Sequence, residues 1–375
     1  MFEYPAPIFK AAAVQSGAVY RDDPVWLDVN ATLDKAISFV NEAGRNGARL
    51  IVFPECFLPG FPFWSIDFTD DRFASIYYAY LSNSIEVPGP ETEALCRAAK
   101  KADSYVVTGI NERDKKYQGR MYNSILYISP RGEIIGTHRK ICNTVFERLF
   151  HTQGDGGDNL KTVFHTEIGN LGGLICGEHM QHTLLHYYIM QGMQISCSMW
   201  PGMYFENNPP ICCGLKTEID IMTRSVCLSA RVFAVLASTY IPEKDCPKNF
   251  YKNSVFNDPS QFFGGSAIIE SHGEYVAGPV YDEETIVYGD IDLSLIPKTK
   301  LETNLAGTYS RWDLMSLNVR QQPYEPIVSM EVTEARMPAV AELERVRLLE
   351  EKVEDLERIT RSVERETEAT KGKTC

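Results

Sequence analysis

Three reactive side chains follow apolar runs in this 375-residue sequence. Glu55 follows Ile-Val-Phe-Pro, Lys140 closes Gly-Thr-His-Arg-Lys, and Cys176 follows Gly-Gly-Leu-Ile. A buried strand carries the residue at its tip to the rim of a sheet, where a ligand can reach it. Singly, each has an ordinary explanation: a solvated loop carboxylate, a surface cation, and a buried thiol that behaves as a small hydrophobe. Together they supply a base, a cation and a nucleophile. A free thiol with a pKa of about 8.5 is only a few per cent thiolate at neutral pH, so a cysteine nucleophile needs the other two groups.

The elements that must position these tips read as alternating strands and helices. Hydrophobic patterning predicts strands over 9–15, 50–53, 105–109, 124–128, 134–140, 171–176, 195–200 and 232–238. Helices are predicted over 91–102, 183–193 and 218–230. Asn30 reads as the N-cap of an earlier helix through Leu33, Ala36, Ile37 and Val40, closed by Gly44 and Gly47. Late strands over 265–270 and 285–291 follow as antiparallel additions. This alternation gives an α/β class with helices covering the sheets.

Composition bounds the function. A formal charge of −13 leaves no basic footprint for nucleic acid or an anionic membrane. There is no run of about 18 apolar residues for a spanning helix, and the first residues lack the basic and apolar segments of a signal peptide. The ten cysteines show no paired C-x-x-C spacing and read as reduced thiols. A cytoplasmic protein is the expectation. Near residue 330 the composition shifts, dividing a body (1–330) from a charged tail (331–375), helical or partly disordered. The tail holds 12 acidic and 9 basic residues and no aromatics. Val346, Leu349, Val353, Leu356 and Val363 fall at a/d spacing, with Thr360 at the remaining a position. That pattern reads either as a solvated amphipathic helix or as a short coiled coil between subunits.

Around the three tips the sequence resembles the nitrilase superfamily of carbon–nitrogen hydrolases, most of all its nitrilase branch. The segment Pro54-Glu55-Cys56-Phe57-Leu58-Pro59-Gly60-Phe61-Pro62 is similar to the glutamate motif of that family. Arg139-Lys140 with Phe146-Glu147-Arg148 resembles its lysine motif, and Cys176-Gly177-Glu178-His179 its nucleophile motif. Trp200-Pro201-Gly202-Met203 and Tyr309-Ser310-Arg311-Trp312-Asp313-Leu314 resemble segments of the branch.

The resemblance implies a four-layer α-β-β-α sandwich and a homo-oligomer, a dimer or a longer spiral. It implies Cys176 as nucleophile, Glu55 as general base, Lys140 as the cation that stabilises developing charge, and Glu147 as the fourth catalytic member. The Gly177 N–H becomes an oxyanion donor, and His179, Trp200 and Pro201 become substrate-binding residues. No metal or cofactor is implied. The expected reaction takes a small nitrile through a thioimidate and a thioester to a carboxylic acid and ammonia. An amide-forming nitrile or cyanide hydratase, or an amidase, would use the same residues. Two positions depart from the branch: Gly177 stands where tryptophan is usual, and Leu228-Ser229-Ala230-Arg231 where relatives usually carry a glutamate.

Two rival readings remain at this stage. On a continuous helix His179, His182 and His186 would share one face as a metal site, with Cys176 as a ligand. Alternatively the chain is an inactive assembly module, against which the complete set of Glu55, Lys140, Glu147 and Cys176 argues.

Overall fold

The computed structural model describes residues 7–21, 27–64, 72–203, 215–248, 258–320, 346–358 and 360–361. In chain order the first strands are β1 (Ile8–Gln15), β2 (Ala48–Val52), β3 (Tyr105–Arg113), β4 (Met121–Ile128) and β5 (Ile134–Arg139). Then come β6 (Phe164–Thr166), β7 (Gly169–Ile175), β8 (Ile195–Trp200) and β9 (Phe233–Ser238), with β10 (Gly264–Ile269), β11 (Tyr275–Tyr281) and β12 (Thr285–Asp292) last. They form two six-stranded sheets, ordered β12-β1-β2-β3-β4-β5 and β11-β10-β9-β8-β7-β6.

Each sheet is parallel at its centre and antiparallel at its margins. The parallel pairs are β1–β2–β3 and β7–β8–β9. Parallel neighbours need a crossover, normally a helix. Among the described helices, α1 (Val29–Arg45) crosses between β1 and β2, while α2 (Phe73–Asn83) and α3 (Pro90–Ala102) lie between β2 and β3. In the second sheet α4 (His182–Met190) and α5 (Leu215–Ala230) do the same work.

Alternate residues of each central strand feed different layers, as the two-residue period of a strand requires. Ala11 and Ala13, Leu50 and Val52, Val107, Ile125 and Tyr127 pack in one core with Leu171, Ile175, Ile195 and Val235 of the second sheet. Their neighbours Ala12, Val14, Ile51, Val106 and Leu126 pack instead under Ala36 and Val40 of α1 and Leu95 and Ala99 of α3. Leu174 turns the other way and meets Leu184, Leu185 and Tyr188 of α4 and Val226 of α5. This is the expected α-β-β-α sandwich. Each fully buried aliphatic side chain contributes about 1.5–3 kcal/mol. At Gly173 a Cβ would lie 2.4 Å from the Tyr127 hydroxyl and 2.6 Å from Ile125, so glycine there lets the two sheets approach.

The structure corrects some local expectations. The cap of α1 is Asp28, not Asn30: its Oδ1 accepts from the Ala31 N–H at 2.8 Å, and its carboxylate also holds Arg21. Asn30 lies inside the helix. Helix α2 has no capping side chain and little polar spacing, which hid it from the pattern. Strand β11 carries Gly278 and Pro279 and lies at the edge of its sheet, where proline is tolerated.

The chain divides into two compact units, Met1–Pro323 and Tyr324–Cys375. Within the second, residues 346–358 and 360–361 are helical. The tail expectations for 331–345 and 362–375, Val363 included, lie outside the described residues. Among the described residues no helix is long and apolar enough to cross a membrane.

Candidate active site

Each of the three reactive residues stands just beyond a strand. Lys140 directly follows β5, Cys176 directly follows β7, and Glu55 lies three residues past β2. All three are buried. The Lys140 Nζ donates to Glu55 Oε1 at 2.8 Å and to Glu147 Oε2 at 2.6 Å. An ammonium has three donors, so one N–H remains uncommitted to this pair. Asn123, on β4, bridges the same carboxylates from behind, its Nδ2 lying 2.7 Å from Glu55 Oε1 and 2.7 Å from Glu147 Oε1. The Thr144 N–H fixes Glu147 Oε2 at 2.9 Å. Glu55 Oε2 is buried and has no hydrogen-bond partner. It is the oxygen left over for chemistry.

The electrostatics separate the two glutamates. Burial raises Glu55 to about 7, with Glu147 pushing the same way and Lys140 and Asn123 opposing. Burial also pushes Glu147 upward, but Lys140 and His151 outweigh it and hold this carboxyl below its usual range. For Lys140, desolvation works against the charge; Glu147, Glu55 and Cys176 overcome it and keep the ammonium protonated. Two carboxylates sharing one lysine have therefore split into a permanent anion and a group that exchanges its proton near neutrality.

Cys176 adopts a left-handed backbone with φ 47°. That conformation costs a non-glycine residue roughly 1–2 kcal/mol. It is held by the residues on either side. Glu178, fully buried, accepts from the Ile175 N–H at 3.0 Å and from the Ile141 N–H at 2.8 Å, which ties the cysteine turn to the segment after Lys140. His138 of β5 meets Glu178 Oε2 at 3.0 Å. Burial opposes both charges of this pair, yet their mutual attraction wins: His138 is raised and Glu178 lowered. The thiol itself is pushed well above its usual value by burial and by Glu55, against Lys140 and the Gly177 N–H that bonds to the sulfur. At rest it is a thiol, and a base must take its proton during the reaction.

The remaining expected residues divide. His179 packs against the Trp200 ring at 4.7 Å, and its Nδ1 lies 2.8 Å from the Cys176 carbonyl. Burial lowers it to about 4, so it is a neutral imidazole, with Nε2 buried and unpartnered. Trp200 is fully buried with its N–H on Thr223, so it supports His179 and belongs to the core. Pro201 is buried beyond the end of β8. Among the described residues a Cβ at Gly177 would meet only Thr144 Oγ1, at 3.4 Å, an ordinary contact that would admit at least a methyl group. Segment 228–231 ends α5, and Arg231 there pairs with Glu302 and Thr303.

The three-histidine face does not form. His179 belongs to the 3-10 turn Cys176–Met180, α4 begins only at His182, and the break turns them apart. His182 is exposed, and the His186 ring packs tilted against Trp312, with centroids 4.9 Å apart. Among the described residues no group of three histidine, cysteine, aspartate or glutamate side chains is placed to hold a metal.

Sequence reasoning missed Asn123, the His138–Glu178 pair and His151. Asn123 had a readable signal, being a polar residue inside the apolar run of β4. His151 had none: its Nδ1 reaches Glu147 Oε1 at 3.4 Å only because the turn Val145–Leu149 folds back on itself. Cys56, next to Glu55, is a second buried thiol with φ 47°.

Comparison with known proteins agrees with this geometry. The carbon-nitrogen hydrolase family model matches residues 10–301. An aliphatic nitrilase of Rhodococcus rhodochrous is 34% identical over 359 residues, 93% of this chain and 93% of that protein. A cyanide hydratase of Stereum hirsutum is 34% identical over 321 residues, 84% of each. A carbon-nitrogen hydrolase from Helicobacter pylori G27 superposes with a TM-score of 0.62 at 18% identity, over 80% of this chain and 94% of that one. With two mixed sheets between helices and reactive residues at the strand ends, the chain belongs to the carbon–nitrogen hydrolase family, in its nitrilase branch.

Proposed function

We propose that the protein hydrolyses a small organic nitrile to a carboxylic acid and ammonia, with Cys176 as nucleophile, Glu55 as general base, and Lys140 and Glu147 completing the catalytic set. One observation carries the assignment. Lys140 is locked between Glu55 and Glu147, while the second oxygen of Glu55 stays buried and unpaired in the field of Cys176. Glu55 Oε2 takes the thiol proton as sulfur attacks the nitrile carbon, and the nitrogen gains a proton to give a thioimidate. Glu55 then activates a water that adds to this carbon. Ammonia leaves, and the thioester that remains is cleaved by a second water to release the acid and restore the thiol.

Negative charge develops on the substrate during each addition. The free N–H of Lys140 and the Gly177 N–H are the donors for it; one such donor contributes about 3–4 kcal/mol to the transition state. Glu147 stays ionised throughout and fixes Lys140. Neutral His179 offers its unpaired Nε2 to a substrate polar group, while Trp200 and Pro201 shape the wall behind it. Glycine at 177, where the branch usually carries tryptophan, favours a substrate with bulk beside the nitrile carbon. Reduced cysteines support a cytoplasmic location; seven free thiols stand among the described residues. The chain is read as a homo-oligomer acting without cofactor, as the family resemblance implies.

Amide formation is the second reading, favoured by the likeness to a cyanide hydratase. If the tetrahedral species expels sulfur in place of ammonia, the amide leaves and the same residues serve. Ammonia and amide release from a nitrile panel, measured by mass spectrometry, separates the two. Cys176→Ala should lower turnover by four or more orders of magnitude at unchanged melting temperature, about the loss seen when a catalytic nucleophile is removed elsewhere. Retained activity in the purified variant would refute the assignment.

A further inference from the structure

The tail helix presents an apolar seam that nothing among the described residues of its own unit covers. Val346, Leu349, Val353 and Leu356 are 45%, 56%, 55% and 63% exposed. Their spacing of three and four residues puts them on one face, at the a and d positions of two successive heptads. The ion pairs Arg358–Asp355 and Arg361–Glu357 tie successive turns of the helix together. Leu348, also exposed, falls at c and lies outside the seam. A helix this short is marginal alone in water, so its stability must come from a partner that buries the seam.

We propose that the partner is the same helix of a second copy, forming a parallel two-stranded coiled coil between subunits. Residue choice sets strand number: both a positions are β-branched valine and both d positions are leucine, the combination that favours two parallel strands. Charge sets direction. In a parallel pair each g position meets the following e position of the partner helix, which within the described helix sets Lys352 against Glu357, an attractive pair. In an antiparallel pair g meets g and e meets e, which sets lysine against lysine and glutamate against glutamate. Thr360 follows at the third a position as a polar marker of register.

The test uses the full-length protein at micromolar concentration, with particle mass read by light scattering after size-exclusion chromatography. Val353→Asp combined with Leu356→Asp should at least halve the mass and leave the melting temperature of the body unchanged. Lys352→Glu should shift association toward smaller species by about tenfold in concentration, and Lys352→Glu with Glu357→Lys should restore it. An unchanged mass in the seam variant overturns the proposal. So does a lowered melting temperature at constant mass, which would place the seam on the chain's own body. A charge-swapped double variant no better than Lys352→Glu removes the parallel arrangement.

Discussion

Two regions of this molecule invert the usual order of a globular protein, in opposite senses. Around Lys140, four ionisable groups are withdrawn from water; along the tail helix, a row of valines and leucines is left in it. The inversions differ in how they are resolved. Lys140, Glu55 and Glu147 satisfy one another, and Asn123 and the Thr144 N–H fill most of the remaining sites. The seam has no such answer among the described residues of the tail, and the proposed second copy of the helix supplies one. A buried cluster closed on itself, with one oxygen and one N–H left over, is built for chemistry on a small guest. An open apolar stripe is built for association.

The largest effect on stability that sharpens this contrast is expected at the His138–Glu178 pair, which tethers the buried site. Removing one partner of a buried ion pair costs about 3–5 kcal/mol, because the other charge is stranded. Glu178→Ala also frees the Ile141 and Ile175 N–H groups. Denaturant unfolding should show that loss, with turnover falling alongside because the left-handed Cys176 turn loses its tether. The sign with pH follows from the two shifts. The contribution of Glu178, lowered from 4.5, is present above that value; that of His138, raised from 6.5, is complete below it and fades as pH rises through the higher folded value. The deficit is therefore greatest between pH 4.5 and 6.5, and a pH-independent deficit would show that the pair is not ionised.

A smaller effect separates Glu55 from Glu147. With Glu55 raised to about 7, kcat/KM should fall about tenfold per pH unit below that value as the base becomes protonated. A profile flat down to pH 5 would mean that Glu55 keeps the ordinary carboxylate range and that the shared lysine does not divide the two roles.

Much of this was legible in the sequence because strands betray themselves by their apolar runs. The tips after β2, β5 and β7 could be named before any coordinate, and so could α1, α3, α4 and α5 between the parallel strands, though not α2. The family motifs placed Glu147 as well. What stayed hidden was contact between distant segments. His138 and Glu178 lie 40 residues apart and meet only because β5 and the cysteine turn end at the same rim. The cap at Asp28 escaped the sequence because Asn30 and Asp28 are both good caps, and only the helix start at Val29 and the Asp28–Ala31 hydrogen bond choose between them. The histidine triplet misled for a related reason. Spacing implies a common face only on an unbroken helix, and the strained cysteine turn interrupts this one.

The central claim, that Cys176 carries the substrate covalently, is open to direct observation. Acid quenching during nitrile turnover, followed by intact-protein mass spectrometry and peptide mapping, should reveal an acyl or imidoyl adduct confined to the peptide containing Cys176. It should be absent from Cys176→Ala. An adduct on Cys56, the other buried thiol beside Glu55, or turnover without any adduct in an active sample, would contradict the account.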